Sequence, residues 1–211
     1  MRSNSASLKN DTTENTDVLK IVKEDILRIL SERRESTSLE IIKDEIKVAN
    51  PFISKAVKEL ERNKLITIQE KSILLTKLGQ ENAKTILRKH LVLEEHFKKT
   101  RSTIEPHIAA NVIEHYVSIE VINNLKKIST LRKKGVPLTK FEHNKEGLIV
   151  EITFSDYKLF ERLVSMGLFP GEKIMVISKV LHRMIIKVRE KKFALDRSIA
   201  ERIKALEHGK F

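Results

Sequence analysis

Residues 49–76 read ANPFISKAVKELERNKLITIQEKSILLT and carry the signals of one helix followed by a hairpin. Asn50 is a candidate N-cap, and Pro51 suits the first helical position because a proline lacks the amide that a first turn leaves unpaired. Apolar residues then recur at helical spacing as far as residue 63: Ile53, Val57 and Leu60. Two short runs of β-forming residues follow, separated by polar residues 69–71, which predicts a hairpin.

Two more helices are predicted before this stretch. The first begins near Asp17 and has its apolar residues at three- and four-residue steps: Leu19, Val22, Ile26, Ile29 and Leu30. The second contains Leu39, Ile42 and Ile46. Three helices and then a hairpin are typical of a winged helix-turn-helix, predicted over 17–77, whose third helix enters the major groove of DNA. Residues 1–16 are polar without apolar periodicity, and we expect a disordered tail.

The third helix has a polar side that could contact DNA. Lysine can bind phosphate or guanine, and asparagine and serine can contact base edges or phosphate. The candidate DNA-binding residues at this helix are Asn50, Pro51, Ser54, Lys55 and Lys58. An ordinary solvated helix face has the same composition, so this alternative stays open.

Composition favours nucleic acid as the partner. Lys and Arg exceed Asp and Glu by 41 to 29, for a formal charge of +12, which concentrates polyanions near the protein. An anionic membrane surface is the second possibility. The chain has no cysteine, which excludes disulfides, thiolate metal sites and cysteine nucleophiles. Without a signal-peptide core or an apolar run of roughly 18 residues, we expect a cytoplasmic protein with no membrane partner.

The rest of the chain changes character near Gly135. A long helix is predicted over about 77–99 and another from Pro106 to about 128, together a helical domain at 78–130. Basic residues then predict a linker at 131–136. Over 137–211, strand-forming runs surround a short helix at 157–166, and a last helix is predicted at 198–206. We therefore expect a mainly α fold with small β parts: a winged helix-turn-helix, a helical domain and a small β-barrel.

Possible metal ligands follow one face of each middle helix. His90 and Glu94 are four residues apart, and a second set occupies relative positions 0, 4, 7 and 8, so each set shares a face. The second set is His107, Asn111, Glu114 and His115. Imidazole together with carboxylate suits first-row divalent ions. Taken alone, His90 with Glu94 is ordinarily a solvated pair of side chains, and the same holds for Glu114 with His115.

With these residues, the chain resembles the DtxR/MntR family of metal-dependent repressors. The resemblance lies in three segments of similar order and spacing: residues 75–79 (LTKLG), 88–94 (RKHLVLE) and 107–118, which ends EHYVS. Residues 51–57 also resemble the family's recognition helix. Residues 163–172 (LVSMGLFPGE) resemble the signature of a FeoA-type barrel, a common third domain in these repressors.

The resemblance implies a homodimer built on the middle helices, with two neighbouring metal positions. The first position would use His90, Glu94 and His107. The second would use Asn111, Glu114 and His115 together with Asp25 of the first helix. Family members usually have Cys or Glu where this chain has Asn111, whose neutral amide is a weaker ligand, and a basic residue where it has Leu91.

The sequence thus predicts a metal-dependent DNA-binding regulator, expected to be a repressor of iron or manganese homeostasis genes, with double-stranded operator DNA as its partner. Hard oxygen ligands favour Mn²⁺ or Fe²⁺ as the cofactor, while Zn²⁺, Co²⁺ or Ni²⁺ could bind in vitro. No small-molecule substrate is expected beyond the ion. A winged-helix regulator or architectural chromatin protein that ignores metal is the alternative. An enzyme is not expected, because the sequence offers no nucleophile elbow, phosphate-binding Gly loop or HExxH motif.

Overall fold

The computed structural model describes the backbone of residues 5–33, 36–100, 104–128, 134–153 and 156–207, and side chains from Asp17 onward within these ranges. The chain divides into two compact units, residues 1–88 and 89–211, with the division inside one long helix. No helix in the described ranges is long and apolar enough to cross a membrane.

The first unit contains three helices, a small sheet and the start of a fourth helix. Its elements are α1 (Ser5–Arg33), β1 (Thr37–Ser38), α2 (Leu39–Glu45), α3 (Asn50–Arg62), β2 (Ile66–Gln69), β3 (Ser72–Leu75) and α4 (Lys77–Lys98). The antiparallel sheet has the order β1-β3-β2. Buried residues of α1, α2 and α3 form one core with Ile66 and Ile73 of the hairpin. This order confirms three helices followed by a hairpin.

Two expectations for this unit are wrong. Residues 5–16 belong to α1, so the expected disordered tail is contradicted there, while residues 1–4 lie outside the described ranges. These residues extend a helix that is already anchored by buried Leu19 and Val22, and adding residues to an existing helix is easier than starting a new one. Asn50 is the first residue of α3 rather than its cap, because Ala49 holds the N-cap position without a side-chain hydrogen bond.

The start of α4 explains the LTKLG segment. Thr76 Oγ1 accepts from the amide of Gly79 at 3.0 Å and donates to the Lys64 carbonyl at 2.7 Å, so it caps α4. A Cβ at Gly79 would stand 1.9 Å from the carbonyl oxygen of Leu65. Only glycine therefore lets α4 start this close to the backbone that leads into β2.

The second unit contains the rest of α4, two further helices and a mostly β region. These elements are α5 (Pro106–Ile113), α6 (Ile119–Ile128), β4 (Val136–Pro137), β5 (Glu146–Ile152), α7 (Tyr157–Ser165), β6 (Lys173–Val180), β7 (Arg183–Val188), β8 (Lys191–Asp196), α8 (Arg197–Ala200) and β9 (Ile203–Glu207). The antiparallel sheet has the order β4-β9-β5-β6-β7-β8. A sheet with helices is confirmed here, whereas closure into a barrel stays a prediction.

Two predicted helices in this unit are wrong in extent. The helix expected from Pro106 to about 128 is broken into α5 and α6 by residues 114–118. The last helix, expected at 198–206, is only α8, and β9 follows it. Alternating buried residues Ile203 and Ala205 pair with β5, so sheet pairing prevails over local helix propensity. The predicted linker falls partly on residues 131–133, outside the described ranges.

A continuous core joins the helices of the second unit to its sheet. Buried residues of α4, α5 and α6 share this core with β5, α7 and the turn before β6, including Leu93, Ile113, Leu148, Phe160 and Phe169. Another core lies between the sheet and α7, around Leu163, Val176 and Ile186. The first of these cores fixes α4 and α5 beside one another, which brings their polar residues into contact.

Candidate metal centre and DNA-binding face

The first predicted metal position, called position one, lies where α4 and α5 meet; the second is called position two. His90 is 1% exposed, and its Nε2 lies 3.1 Å from His107 Nδ1 and 3.4 Å from Glu94 Oε2. The third distance, from His107 Nδ1 to Glu94 Oε2, is 4.0 Å. Two imidazole nitrogens and one carboxylate oxygen therefore face a common point; the spacing on α4 predicts that His90 and Glu94 share a face, and the grouping with His107 is the one that the resemblance implies.

The separations of the three donors suit a divalent ion. Ligand atoms held at about 2.1 Å from an ion are neighbours at about 3.0 Å in an octahedron and about 3.4 Å in a tetrahedron. The three donor atoms of His90, Glu94 and His107 lie within 4.8 Å of one another, so small side-chain adjustments would suffice for all three to ligate.

Glu114 orients His90. Its carboxylate is fully buried, and Oε2 lies 2.7 Å from His90 Nδ1. A proton on Nδ1, donated to this carboxylate, leaves the lone pair of Nε2 directed toward His107 and Glu94. Histidines that bind metals commonly have this arrangement, in which a carboxylate fixes the ring tautomer.

Asn111, Glu114 and His115 lie together at the end of α5. Glu114 Oε1 is 3.7 Å from His115 Nε2. The side-chain oxygen Oδ1 of Asn111 is buried, and no hydrogen bond reaches it from the described part of the chain. A buried acceptor of this kind carries a desolvation cost that a cation would relieve, so the residues of position two also fit a metal.

Asp25 belongs to the first unit. It lies on α1, partly buried, and its Oδ1 is 3.6 Å from the guanidinium of Arg28. Its assignment to position two stays a prediction from the resemblance.

Lys98 is a contact that the sequence reasoning missed. Its ammonium lies 2.6 Å from Glu94 Oε1. This hydrogen bond, more than any other interaction, holds the pKa of Glu94 below its ordinary value, with charge attraction from Lys98 adding to it and burial opposing it. Glu94 therefore stays ionised and able to bind a cation. The i, i+4 spacing of the pair was the available signal.

The candidate DNA-binding residues share the exposed side of α3. Ile53, Ala56, Val57 and Leu60 of α3 are buried, whereas Asn50, Pro51, Ser54, Lys55 and Lys58 are exposed. Glu59 lies between the two faces and pairs with Lys23 of α1 at 2.9 Å, which holds the helix against α1. The amphipathic pattern therefore presents all five predicted residues to solvent.

Two family models match the chain. The model for the metal binding and dimerisation domain of iron dependent repressors matches residues 76–130, and the model for the FeoA domain matches residues 136–205. All the predicted metal ligands except Asp25 lie within the first match. No curated protein sequence matches the chain.

The chain is also similar to solved structures. A manganese-dependent transcriptional repressor in complex with manganese is 16% identical, over 88% of this chain and 99% of that one, with a TM-score of 0.46. IdeR of T. acidophilum is 20% identical, over 98% and 100% of the two chains, with a TM-score of 0.40. An iron uptake regulatory protein, FeoA, is 31% identical over 35% of this chain and 97% of its own, with a TM-score of 0.32.

Proposed function

We propose a function from one premise: the chain belongs to the DtxR/MntR family of metal-dependent transcriptional repressors and carries a C-terminal FeoA domain. It is a metal-dependent regulator of metal homeostasis, and its family consists of regulators rather than enzymes. We infer that it binds double-stranded operator DNA, as a repressor acting in the cytoplasm. The observation that carries this function is the set of converging donors on His90, Glu94 and His107.

The cofactor is a divalent transition metal ion, and we propose Mn²⁺ or Fe²⁺ as the physiological one. Bound metal would supply positive charge that holds donors of neighbouring helices together. Carboxylate and amide oxygens beside imidazoles suit these harder ions, although Zn²⁺, Co²⁺ or Ni²⁺ can bind such a site more tightly in vitro. His90, Glu94 and His107 hold position one, while Asn111, Glu114 and His115, with Asp25 as predicted, hold position two.

The acting form is proposed to be a homodimer. Large apolar side chains are exposed on all three helices of the middle region: Leu91 on α4, Ile108 on α5 and Ile119 on α6, which are 54%, 44% and 43% exposed. A second copy would cover them, since an apolar group on a regulator's dimerisation domain is favourably removed from water. Two copies would present two α3 helices to successive major grooves.

Operator binding should tighten with the correct ion. We expect fluorescence anisotropy, on DNA from upstream of the protein's own gene at fixed salt, to show at least about tenfold tighter binding with Mn²⁺ or Fe²⁺ than with chelator. Zn²⁺ serves as the comparison ion. Tight binding that ignores all three ions would leave a winged-helix protein without a metal sensor.

The alternative, a metal-independent regulator or architectural protein, is favoured by one observation. Glu94 pairs with Lys98, and Glu114 pairs with His90, so these carboxylates have partners among the protein's own side chains. The same titration separates the two functions, because an architectural protein would respond to salt but not to metal.

Two lysines of α3 should contribute to DNA affinity through phosphates. Lys55→Ala together with Lys58→Ala should weaken binding and reduce the slope of log affinity against log salt by roughly 2, about 0.9 for each lost phosphate contact. Lys77→Ala with Lys84→Ala, exposed on α4, is the matched control. Equal slopes for the two double variants would remove α3 as the DNA-binding face.

A further inference from the structure

Arg189 of the FeoA domain contacts the turn between α5 and α6, next to predicted metal ligands. It lies in the turn between β7 and β8, at a φ of 53°. Its Nη2 donates to the backbone carbonyl of Tyr116 at 3.3 Å. Tyr116 directly follows Glu114 and His115, so a side chain of the FeoA domain reaches the turn that carries two predicted metal ligands.

The Arg189 guanidinium is itself held in place. Its Nε and Nη2 donate to Glu172 Oε2 at 3.0 and 2.8 Å, and the Glu172 residue is only 8% exposed. The guanidinium also lies over the ring of Phe169, 5.6 Å from its centroid. Two N–H donors that share one carboxylate oxygen, together with stacking on an aromatic ring, restrict an arginine more than a single contact would.

Arg189 meets the chain just past the end of α5. The amide of Glu114 donates to the carbonyl of Ala110, and the amide of Tyr116 donates to the carbonyl of Ile113, so α5 ends here. A cation placed close to the C-terminal end of a helix is favourable, because the helix dipole is negative there. Arg189 supplies that cation from a different domain.

We propose that Arg189 is a positioning residue through which the FeoA domain holds the turn 114–116 in its metal-binding geometry. Asn111, Glu114 and His115 lie in the last turn of α5 or directly after it, so fixing the Tyr116 carbonyl limits how far their side chains can drift. The inference rests on the proposed function, because it assumes that these residues bind metal. It assigns the FeoA domain a role inside the same chain: raising metal affinity by ordering ligands in advance.

The test compares two contacts between the same domains. Lys173 Nζ lies 3.2 Å from Glu120 Oε1, which also joins the FeoA domain to the middle helices but lies beyond the ligand-bearing turn. Lys173→Ala is therefore the matched control for Arg189→Ala. Arg189→Lys keeps the charge but cannot place two separate nitrogens on Glu172 Oε2, and it serves if the alanine variant does not fold.

Two measurements on the full chain decide the proposal. By calorimetric titration with Mn²⁺, Arg189→Ala should weaken binding about fivefold, or ~1 kcal/mol, with Arg189→Lys between it and wild type and Lys173→Ala within about twofold of wild type. In metal-free protein, amide exchange at residues 114–118 should be faster in Arg189→Ala alone.

Each outcome has a distinct meaning. Equal Mn²⁺ affinity in wild type and Arg189→Ala, or an equal loss in Arg189→Ala and Lys173→Ala, would overturn the proposed positioning role of Arg189. Failure of wild type to bind Mn²⁺ or Fe²⁺ would instead remove the proposed function, and the exchange rates of 114–118 would then decide on their own whether Arg189 holds the turn.

Discussion

His90→Ala combined with Glu114→Ala is expected to abolish the response of operator binding to metal. The first change removes a donor of position one. The second removes a predicted donor of position two and the carboxylate that lies 2.7 Å from His90 Nδ1. We expect the at least tenfold gain in DNA affinity on adding Mn²⁺, ~1.4 kcal/mol of coupling, to fall within about twofold, while metal-free binding keeps its salt dependence.

The measurement is the anisotropy titration with and without Mn²⁺, at one salt concentration. Glu95→Ala is the control, because Glu95 is exposed on the same helix and pairs only with Lys99 in the described structure. If the removal of two buried side chains unfolds the protein, His107→Ala tests position one alone. The His107 side chain is 46% exposed, so its loss disturbs the core less. Metal dependence that survives in these variants would contradict the assignment of the ligands.

The ligand sets illustrate what sequence could predict. Spacing within a helix is fixed by the helix itself, so the sequence alone places His90 with Glu94, and His107 with Glu114, on common faces. Which nitrogen of His90 faces Glu114 and which faces His107 depends on how α4 packs on α5, a property of the core around Leu93 and Ile113. The second role of Glu114, orienting His90, was therefore not predicted.

The break between α5 and α6 was missed for a related reason. Buried Val117 and Val121 continue the apolar spacing of α5, so periodicity alone predicts one helix. The hydroxyl of Ser118 accepts from the amide of Val121 at 3.3 Å, which is the N-cap pattern of a new helix. That signal was present in the sequence, whereas the Arg189 contact that meets this turn comes from a residue 73 positions away.

Gly79→Ala is expected to destabilise the first unit by about 3 kcal/mol, the upper end for an overpacked site. The added methyl would stand 1.9 Å from the Leu65 carbonyl oxygen and 2.9 Å from its carbon. That carbonyl cannot easily retreat, because it also accepts the amide of Thr76 at 3.0 Å. Either α4 moves away from the hairpin or the Thr76 cap is lost, and both changes disturb the wing of the predicted DNA-binding domain.

Urea unfolding of the full chain, followed by circular dichroism at 222 nm, measures this loss. The variant's midpoint should fall without a change of slope, since the same surface is exposed on unfolding. Gln80→Ala is the control: Gln80 is the next residue of α4 and exposed, and alanine there should change stability by less than about 0.5 kcal/mol. If both variants unfold at the same urea concentration, α4 does not depend on glycine for its approach to Leu65.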